Sequence, residues 1–211
     1  MIEKMNDHNM INVFGKIVGT PDYSHSVGAE RFIKGNIRVL RMSGQTDTLP
    51  FIVSERLPPS RTLEDGDTVM LTGQLRSHDA WFGPNGKSHL EIVIFVRDII
   101  YVINPDDEIY TTKNEVMLTG RLCRPPVYRV THFRREICDL MIAAHRAYGK
   151  TDYIPCIAWG RNARYISDQL KVGDTLRIKG RFQSRDYQKK LESGVYEGRT
   201  SYEVSIFELL D

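Results

Sequence analysis

The chain alternates hydrophobic and polar residues over short segments, which is the pattern of half-buried β-strands. Segment 175–182 places Leu176, Ile178 and Phe182 on one side and basic residues on the other. Segment 202–207 alternates in a similar way. Short strands separated by turns that contain glycine predict a sandwich or a barrel.

The sequence repeats itself at an offset of 105 residues. Ten residues match identical residues of the second copy without a gap: Gly15, Pro21, Tyr23, Ile37, Arg41, Gly44, Thr46, Asp47, Pro50 and Ile52 match Gly120, Pro126, Tyr128, Ile142, Arg146, Gly149, Thr151, Asp152, Pro155 and Ile157. After short insertions the match continues, with Gly66 on Gly173 and Glu91 on Glu203. Insertions confined to two places are typical of surface loops, so we predict two copies of one fold.

Segment 104–113 separates the two copies, is acidic, begins with a turn signal and shows no periodicity. We therefore predict an N-terminal domain at 1–103, a linker at 104–113 and a C-terminal domain at 114–211.

A single helical pattern interrupts the strands of the second copy. Within 162–170, apolar residues recur at spacings of three and four, at Ala163, Ile166 and Leu170. A Pro-Pro pair at 58–59 breaks the same region of the first copy. Five strands with one helix between the third and fourth predict an OB barrel. The expected fold class is therefore all-β, with two tandem five-stranded OB folds that each carry at most one short helix.

The composition is that of an ordinary globular protein, with 29 Lys and Arg against 27 Asp and Glu and a net charge of +2. No apolar run approaches the roughly 18 residues of a membrane span, and segment 1–10 lacks the apolar core of a signal peptide. We therefore expect a cytoplasmic protein with no membrane contact.

The chain shows no pattern typical of an enzyme, a metal site or a cofactor site. Cys123, Cys138 and Cys156 lie in apolar runs without CxxC spacing, so we expect buried, reduced thiols. The six histidines form no HxxxH pair. We expect no catalysis, no metal and no cofactor.

The second copy interleaves aromatic residues with cations. Bases stack on aromatic rings and phosphates pair with Lys or Arg, so this mixture favours single-stranded nucleic acid. The alternative for any one residue is a barrel core or a solvated charged face. The candidate residues are Arg146, Tyr148, Lys150, Tyr153, Trp159, Arg161, Arg185, Tyr187, Lys189 and Lys190.

Tyr153 and Trp159 are the strongest of these candidates. At a spacing of six on one strand they share a face, while Ile154, Cys156 and Ala158 share the other. An exposed aromatic pair close to a cation is typical of a binding surface.

The C-terminal copy resembles the bacterial single-stranded-DNA-binding proteins. The resemblance covers most of 114–210 in strand order, through segments 114–122, 138–146, 151–164, 173–181 and 202–207. It implies an OB fold that binds single-stranded DNA without sequence preference during replication, recombination or repair. By motif position it implies stacking at Tyr148, Tyr153, Trp159 and Tyr187.

The same resemblance implies a homodimer, because family members assemble four OB folds and this chain has two. Members of the family commonly end in an acidic tail that recruits replication enzymes, whereas this sequence ends at Phe207-Glu-Leu-Leu-Asp211. Recruitment of such partners by that route therefore stays open.

The first copy is predicted to be the weaker binder. Residues 1–103 hold 11 Lys and Arg against 12 Asp and Glu, a net of −1, whereas residues 114–211 hold 17 against 12, a net of +5. Arg41 is the counterpart of Arg146, and Trp81 and Phe82 could serve from a hairpin or pack on their own strands or a partner. The four stacking positions are occupied here by Ser43, Thr48, Ser54 and Ala80.

Two other functions fit the same residues. The first is a specialised primosomal or mobile-element OB protein that lacks the recruiting tail. The second is an OB-fold scaffold for protein interactions, in which the aromatic side chains fill pockets of a partner.

Overall fold

The computed structural model describes residues 8–57, 61–82, 87–103, 113–146, 149–190 and 194–210, with only the backbone described within 79–89. The N-terminal half contains β1 (Asn9–Val27), β2 (Glu30–Leu40), β3 (Thr46–Ser54), β4 (Thr68–Phe82) and β5 (Lys87–Tyr101). The C-terminal half contains β6 (Asn114–Leu122), β7 (Val127–Val130), β8 (Glu136–His145), β9 (Thr151–Trp159), α1 (Gly160–Gln169), β10 (Thr175–Lys190) and β11 (Tyr196–Leu210).

The strands of each half close into a barrel. In the N-terminal half the strands follow the order β1, β2, β3, β5, β4, and β4 pairs with β1 to close the barrel. The pairing of β3 with β5 is parallel, and the others are antiparallel. In the C-terminal half β6, β8, β9, β11 and β10 close in the same order. The expected all-β fold with two OB barrels is confirmed.

The alternation seen in the sequence fills the barrel cores. Leu176, Ile178 and Phe182 are buried on β10, as predicted. The strand extends beyond the predicted segment to Lys190, where it pairs with β11 as a long hairpin. The amphipathic segment thus identifies the part of each strand that lines the barrel, while the hairpin arm has both faces outside the core.

Helix α1 lies between β9 and β10, where the sequence predicts it. It begins at Gly160, two residues before the predicted start, and buries Ala163 and Ile166. The Pro-Pro pair at 58–59 lies outside the described residues.

Close approach between strands explains two pairs of glycines that the repeat matches. A Cβ atom on Gly15 or Gly120 would lie less than 3.0 Å from the carbonyl oxygen of the neighbouring strand, at Arg38 or Ala143. The same close approach to a carbonyl occurs at Gly73 and its counterpart in β10. Both copies therefore need glycine where the barrel closes.

The two barrels are joined edge to edge through an approximate twofold axis. Strand β1 pairs antiparallel with β6, and Ile11 lies opposite Val116, its own counterpart in the repeat. Asn9 lies opposite Leu118, and Val13 lies opposite Asn114. The eleven strands of the described residues form one continuous sheet, and one hydrophobic core cluster runs through both barrels.

A buried aspartate on one side of this axis ties the N-terminal half to the C-terminal hairpin. Asp47 accepts hydrogen bonds from the amide and the hydroxyl of Ser184, at 2.8 and 2.9 Å, and from Arg41 at 2.5 Å. Burial alone would raise the pKa of Asp47, but the bonds from Arg41 and Ser184 outweigh it and lower the pKa. The carboxylate is therefore held ionised.

The second copy repeats this arrangement on the other side of the axis. Asp152, also fully buried, accepts from the amide of Ser77 at 2.7 Å and forms an ion pair with Arg146. Arg76 adds a bond at 3.2 Å. The matched residues of the repeat thus make reciprocal contacts across the interface.

The cysteines are free thiols, with Cys138 and Cys156 buried and Cys123 partly exposed. Burial raises the pKa of Cys138 to about 11, so this thiol stays protonated at neutral pH. The prediction of burial holds for two of the three. Within the described ranges, no helix is long and apolar enough to cross a membrane, and no cluster of His, Cys, Asp and Glu is suited to holding a metal ion.

Candidate nucleic-acid interface

Strand β9 presents two aromatic side chains on the outer face of the C-terminal barrel. Tyr153 is 46% exposed and Trp159 is 39% exposed. Ile154, Cys156 and Ala158 alternate with them and are buried in the core. The two-residue period of the strand places the aromatic pair on one face.

The ring of Trp159 is held in a defined orientation. Its Nε1 donates a hydrogen bond of 3.2 Å to the hydroxyl of Ser205 on the neighbouring strand β11. Asn162, in the first turn of α1, donates to the carbonyl of Phe207 at 3.1 Å. Because the polar edge of the indole is satisfied, the exposed part of the ring is available for stacking.

Phe207 extends the aromatic surface onto β11 and was missed by the sequence reasoning. Its ring is 53% exposed, and the guanidinium of Arg181 lies 5.5 Å from its centroid. The signal was present, because the alternation that buries Val204 and Ile206 places the following residue outside.

The hairpin of β10 and β11 carries the next group of predicted residues. The guanidinium of Arg185 lies 6.0 Å from the ring centroid of Tyr187 and pairs with Glu203 at 3.3 Å. Lys189 and Lys190 are exposed at the end of β10. Tyr187 follows Arg181 and Arg185 on the outward positions of the strand, so the hairpin continues the same face.

Arg41 and Arg146, also predicted to contact nucleic acid, lie in the interface between the halves. Arg41 pairs with Asp47 and donates a hydrogen bond of 3.0 Å to the carbonyl of Ser184. Arg146 pairs with the buried Asp152 in the same way and donates a hydrogen bond of 3.3 Å to the carbonyl of Ser77. Each guanidinium already has a carboxylate, so this arrangement favours a structural role over a phosphate contact.

The remaining candidates are divided between exposed and undescribed positions. Lys150 and Arg161 are exposed at the two ends of β9, beside the aromatic pair. Tyr148 lies outside the described residues, as do the side chains of Trp81 and Phe82 on β4.

The N-terminal half has a different arrangement on its corresponding face. Thr48 and Ser54 of β3 stand where β9 has its aromatic pair. Phe32 on β2 and Phe95 on β5 pack together instead, with ring centroids 5.8 Å apart. In the second copy the position of Phe32 holds Ile137, and the strand that corresponds to β5 is β11, which carries Phe207.

Two five-stranded barrels in one sheet, with stacked aromatic and cationic side chains on an open face, define a tandem OB-fold protein. Residues 113–209 match the model of the Single-strand binding protein family. This match spans most of the C-terminal half of the chain, from β6 into β11.

Two curated relatives each match less than half of this chain. The Single-stranded DNA-binding protein of Bacillus cereus is 30% identical over 89 residues, covering 39% of this chain and 52% of the relative. That of Oceanobacillus iheyensis is 30% identical over 95 residues, covering 42% and 55%. The chain thus spans about half the length of these relatives.

A solved structure matches the whole architecture. The crystal structure of a deletion mutant of the single-stranded DNA binding protein from Thermus aquaticus superposes with a TM-score of 0.69. It covers 96% of this chain and 93% of its own, at 21% identity. At that identity the likeness establishes the shared fold.

Proposed function

We propose that the protein binds single-stranded DNA with little sequence preference and protects it during replication, recombination or repair. The observation that carries this proposal is the aromatic and cationic face of the C-terminal barrel, which runs from β9 across β11 to the β10 hairpin. The similarity of the chain to proteins named Single-stranded DNA-binding protein supports the same proposal.

The order of groups on this face suits a flexible polyanion. Tyr153 and Trp159 lie on β9, Phe207 lies on the neighbouring β11, and Tyr187 lies on the hairpin beyond. Stacking on aromatic rings is tolerant of base identity because every base has a π-face. The strands of the sheet therefore provide successive platforms for consecutive bases.

Cations lie close enough to these platforms to pair with the phosphates between stacked bases. Arg181 packs over Phe207, and the hairpin lysines are exposed beyond it. Burial lowers the pKa of Arg181, and the nearby Arg41 lowers it further. An arginine whose charge is poorly compensated by protein groups gains when a phosphate approaches.

The test is a titration of labelled oligo-dT against the full chain over a range of salt concentrations. The logarithm of the association constant should fall with the logarithm of salt, by about 0.7 per phosphate neutralised. Trp159→Ala should bind about 5- to 150-fold more weakly, because it loses one base stack. Circular dichroism checks that the variant is folded.

The same titration separates the alternatives. A weak and salt-independent response to oligo-dT would favour the protein-interaction scaffold and overturn the proposal. Competition with oligo-U determines whether RNA is bound as well. A primosomal or mobile-element role would give the same binding result. It would be tested separately, by measuring whether a replication assay depends on the protein.

We also infer that residues 1–103 and 114–211 act as two OB domains joined by the linker 104–113, and that two chains associate to bring four OB folds together. Sedimentation equilibrium should then give a mass about twice 24.3 kDa. A protease site inserted within the linker should allow cleavage without separation of the halves, because the β1–β6 pairing and both buried aspartates join them.

The proposed place of action is the bacterial cytoplasm, where single strands of the chromosome are exposed.

A further inference from the structure

Strand β9 takes one of its hydrogen-bond partners from the other half of the molecule. The amide of Tyr153 donates a hydrogen bond of 2.8 Å to the hydroxyl of Ser77 on β4. Within the described residues, β9 pairs with its neighbour β11 only at Cys156 and Ile157. The start of β9 lies before that pairing, so the N-terminal half supplies the acceptor there.

Ser77 contacts the segment around Tyr153 through three of its groups. Its amide donates a hydrogen bond of 2.7 Å to the carboxylate of Asp152, and its carbonyl accepts one of 3.3 Å from Arg146. Its hydroxyl makes the third contact, with Tyr153 itself. Asp152 is fully buried and directly precedes Tyr153 in the chain. The backbone that carries the Tyr153 ring is therefore held against β4.

The matched serine on the other side of the twofold axis uses its hydroxyl differently. Ser184 is the counterpart of Ser77 in the repeat, and both serine amides donate to a buried aspartate. The Ser184 hydroxyl donates to the same carboxylate, Asp47, at 2.9 Å. The Ser77 hydroxyl instead accepts from the strand that carries an exposed aromatic ring. The hydroxyl that departs from the reciprocal pattern therefore acts on the candidate nucleic-acid face.

Arg76 accounts for this difference between the two serines. It donates to Asp152 at 3.2 Å, whereas Gln183 occupies the matched position of the C-terminal half. A carboxylate has about four acceptor sites, so a second arginine supplies a donor in place of the serine hydroxyl that serves on the other side. The Ser77 hydroxyl is thereby left to accept from β9.

From this geometry we propose that Ser77 is a positioning residue for stacking at Tyr153, so that the N-terminal half pre-organises the C-terminal binding face. The proposal rests on the proposed function, since Tyr153 is one of the stacking platforms of that face. Ser77 acts through the backbone from which the ring projects, without contact to the bound strand. A platform that is fixed before binding loses less conformational freedom when a base stacks on it.

The test is a double-mutant cycle on the full chain, with oligo-dT titrated at fixed salt. Ser77→Ala removes the hydroxyl acceptor and keeps the backbone bond to Asp152. Ser77→Thr keeps a hydroxyl and serves as the conservative rescue. Ser184→Ala is the matched control, because it removes a hydroxyl of the same interface that bonds to a carboxylate instead of to Tyr153. Circular dichroism checks that each variant is folded.

Ser77→Ala should bind oligo-dT about 2- to 10-fold more weakly, which is the range that corresponds to one hydrogen bond. In a Tyr153→Ala background the same change should cost nothing further, because the platform that Ser77 positions is already absent. Ser77→Thr should bind as the wild type does. Any loss of affinity from Ser184→Ala should instead add to the loss from Tyr153→Ala. The salt slope should stay unchanged in Ser77→Ala, because no charge is removed.

Amide hydrogen exchange of the free protein provides a second measurement that does not depend on DNA. The Tyr153 amide should exchange faster in Ser77→Ala than in the wild type, because its acceptor is gone. In Ser184→Ala the Tyr153 amide should exchange at the wild-type rate. Equal protection of this amide in the wild type and in Ser77→Ala would contradict the proposed contact.

Either of two binding results would overturn the positioning role. One is a folded Ser77→Ala variant with wild-type affinity. The other is an equal loss from Ser77→Ala in the presence and absence of the Tyr153 ring, which would show a general effect on the interface. If Ser77→Ala does not fold, Ser77→Cys takes its place with the same deciding outcomes, because a thiol has a similar shape and is a weak acceptor.

The outcomes also separate this proposal from the proposed function. If Trp159→Ala weakens binding of oligo-dT while Ser77→Ala does not, the positioning role fails and the proposed function stands. If the wild type does not bind oligo-dT, the proposed function fails and the positioning role fails with it.

Discussion

The two halves of the molecule share an interface and differ in their outer faces. Asp47 with Ser184 and Asp152 with Ser77 make reciprocal contacts across one approximate twofold axis. The outer faces carry aromatic side chains on β9, β11 and β10 in the C-terminal half, and on β2 and β5 in the N-terminal half, where β5 is the counterpart of β11. Two copies of one fold thus retain matched contacts and present different surfaces.

The difference shows which positions geometry constrains. An interface aspartate that is fully buried needs its hydrogen-bond donors at fixed distances, so a change of residue type leaves charges unpaired. An outward strand position has no such requirement, because its side chain meets solvent. Aromatic residues can therefore occupy outward positions that differ between the two halves.

The largest expected effect tests the shared interface. Asp47→Ala and Asp152→Ala should each lower the free energy of unfolding by roughly 3–5 kcal/mol, because each leaves a partly buried arginine without its carboxylate. Urea denaturation of the full chain measures the change. Asp168→Ala, at an exposed position of α1, should change little. A large effect from only one interface variant would show that the two contacts are not equivalent.

The next effect compares matched strand positions. Tyr153→Ala should weaken binding of oligo-dT by roughly 1–3 kcal/mol, because one base loses its stacking partner. Thr48→Ala, the same position of the repeat in the N-terminal half, should leave the affinity unchanged. Fluorescence anisotropy at fixed salt measures both. Similar losses in the two variants would mean that the faces bind through equivalent strands after all.

A smaller effect is expected from the charges of the C-terminal hairpin. Lys189→Gln and Lys190→Gln should each reduce the salt slope of binding by about 0.7 if each lysine neutralises one phosphate. Lys171→Gln, an exposed cation that follows α1, is the control and should keep the wild-type slope. Unchanged salt slopes in both hairpin variants would show that the bound DNA does not contact these lysines.

The smallest effect concerns pH and the interface of the N-terminal half. The folded-state pKa of Asp47 lies below its ordinary value of 3.8. Its stabilising contribution is therefore complete at pH values well above 3.8 and is lost as the pH falls through the lower folded-state value. The difference in free energy of unfolding between wild type and Asp47→Asn should shrink below pH 4. A constant difference would show that ionisation of this carboxylate does not stabilise the interface.

The sequence by itself determined the repeat, the barrel class and much of the candidate face. Periodicity of two residues identifies the core strands because burial on one side of a strand leaves a strict alternation of residue type. The same rule predicted the exposed pair Tyr153 and Trp159 on β9. The apolar spacing predicted helix α1, although the predicted start at Asn162 lies two residues after the observed start at Gly160.

Only the tertiary structure decided how residues distant in the chain meet. Arg41 and Arg146 look like free cations in the sequence, but the pairing of β1 with β6 brings each half against the other, where these arginines hold buried carboxylates. The Phe32–Phe95 pair joins β2 to β5, two strands that are not direct neighbours in the sheet. Strand periodicity reports which side of a strand faces the core, and the barrel's closure decides which outward side chains become neighbours.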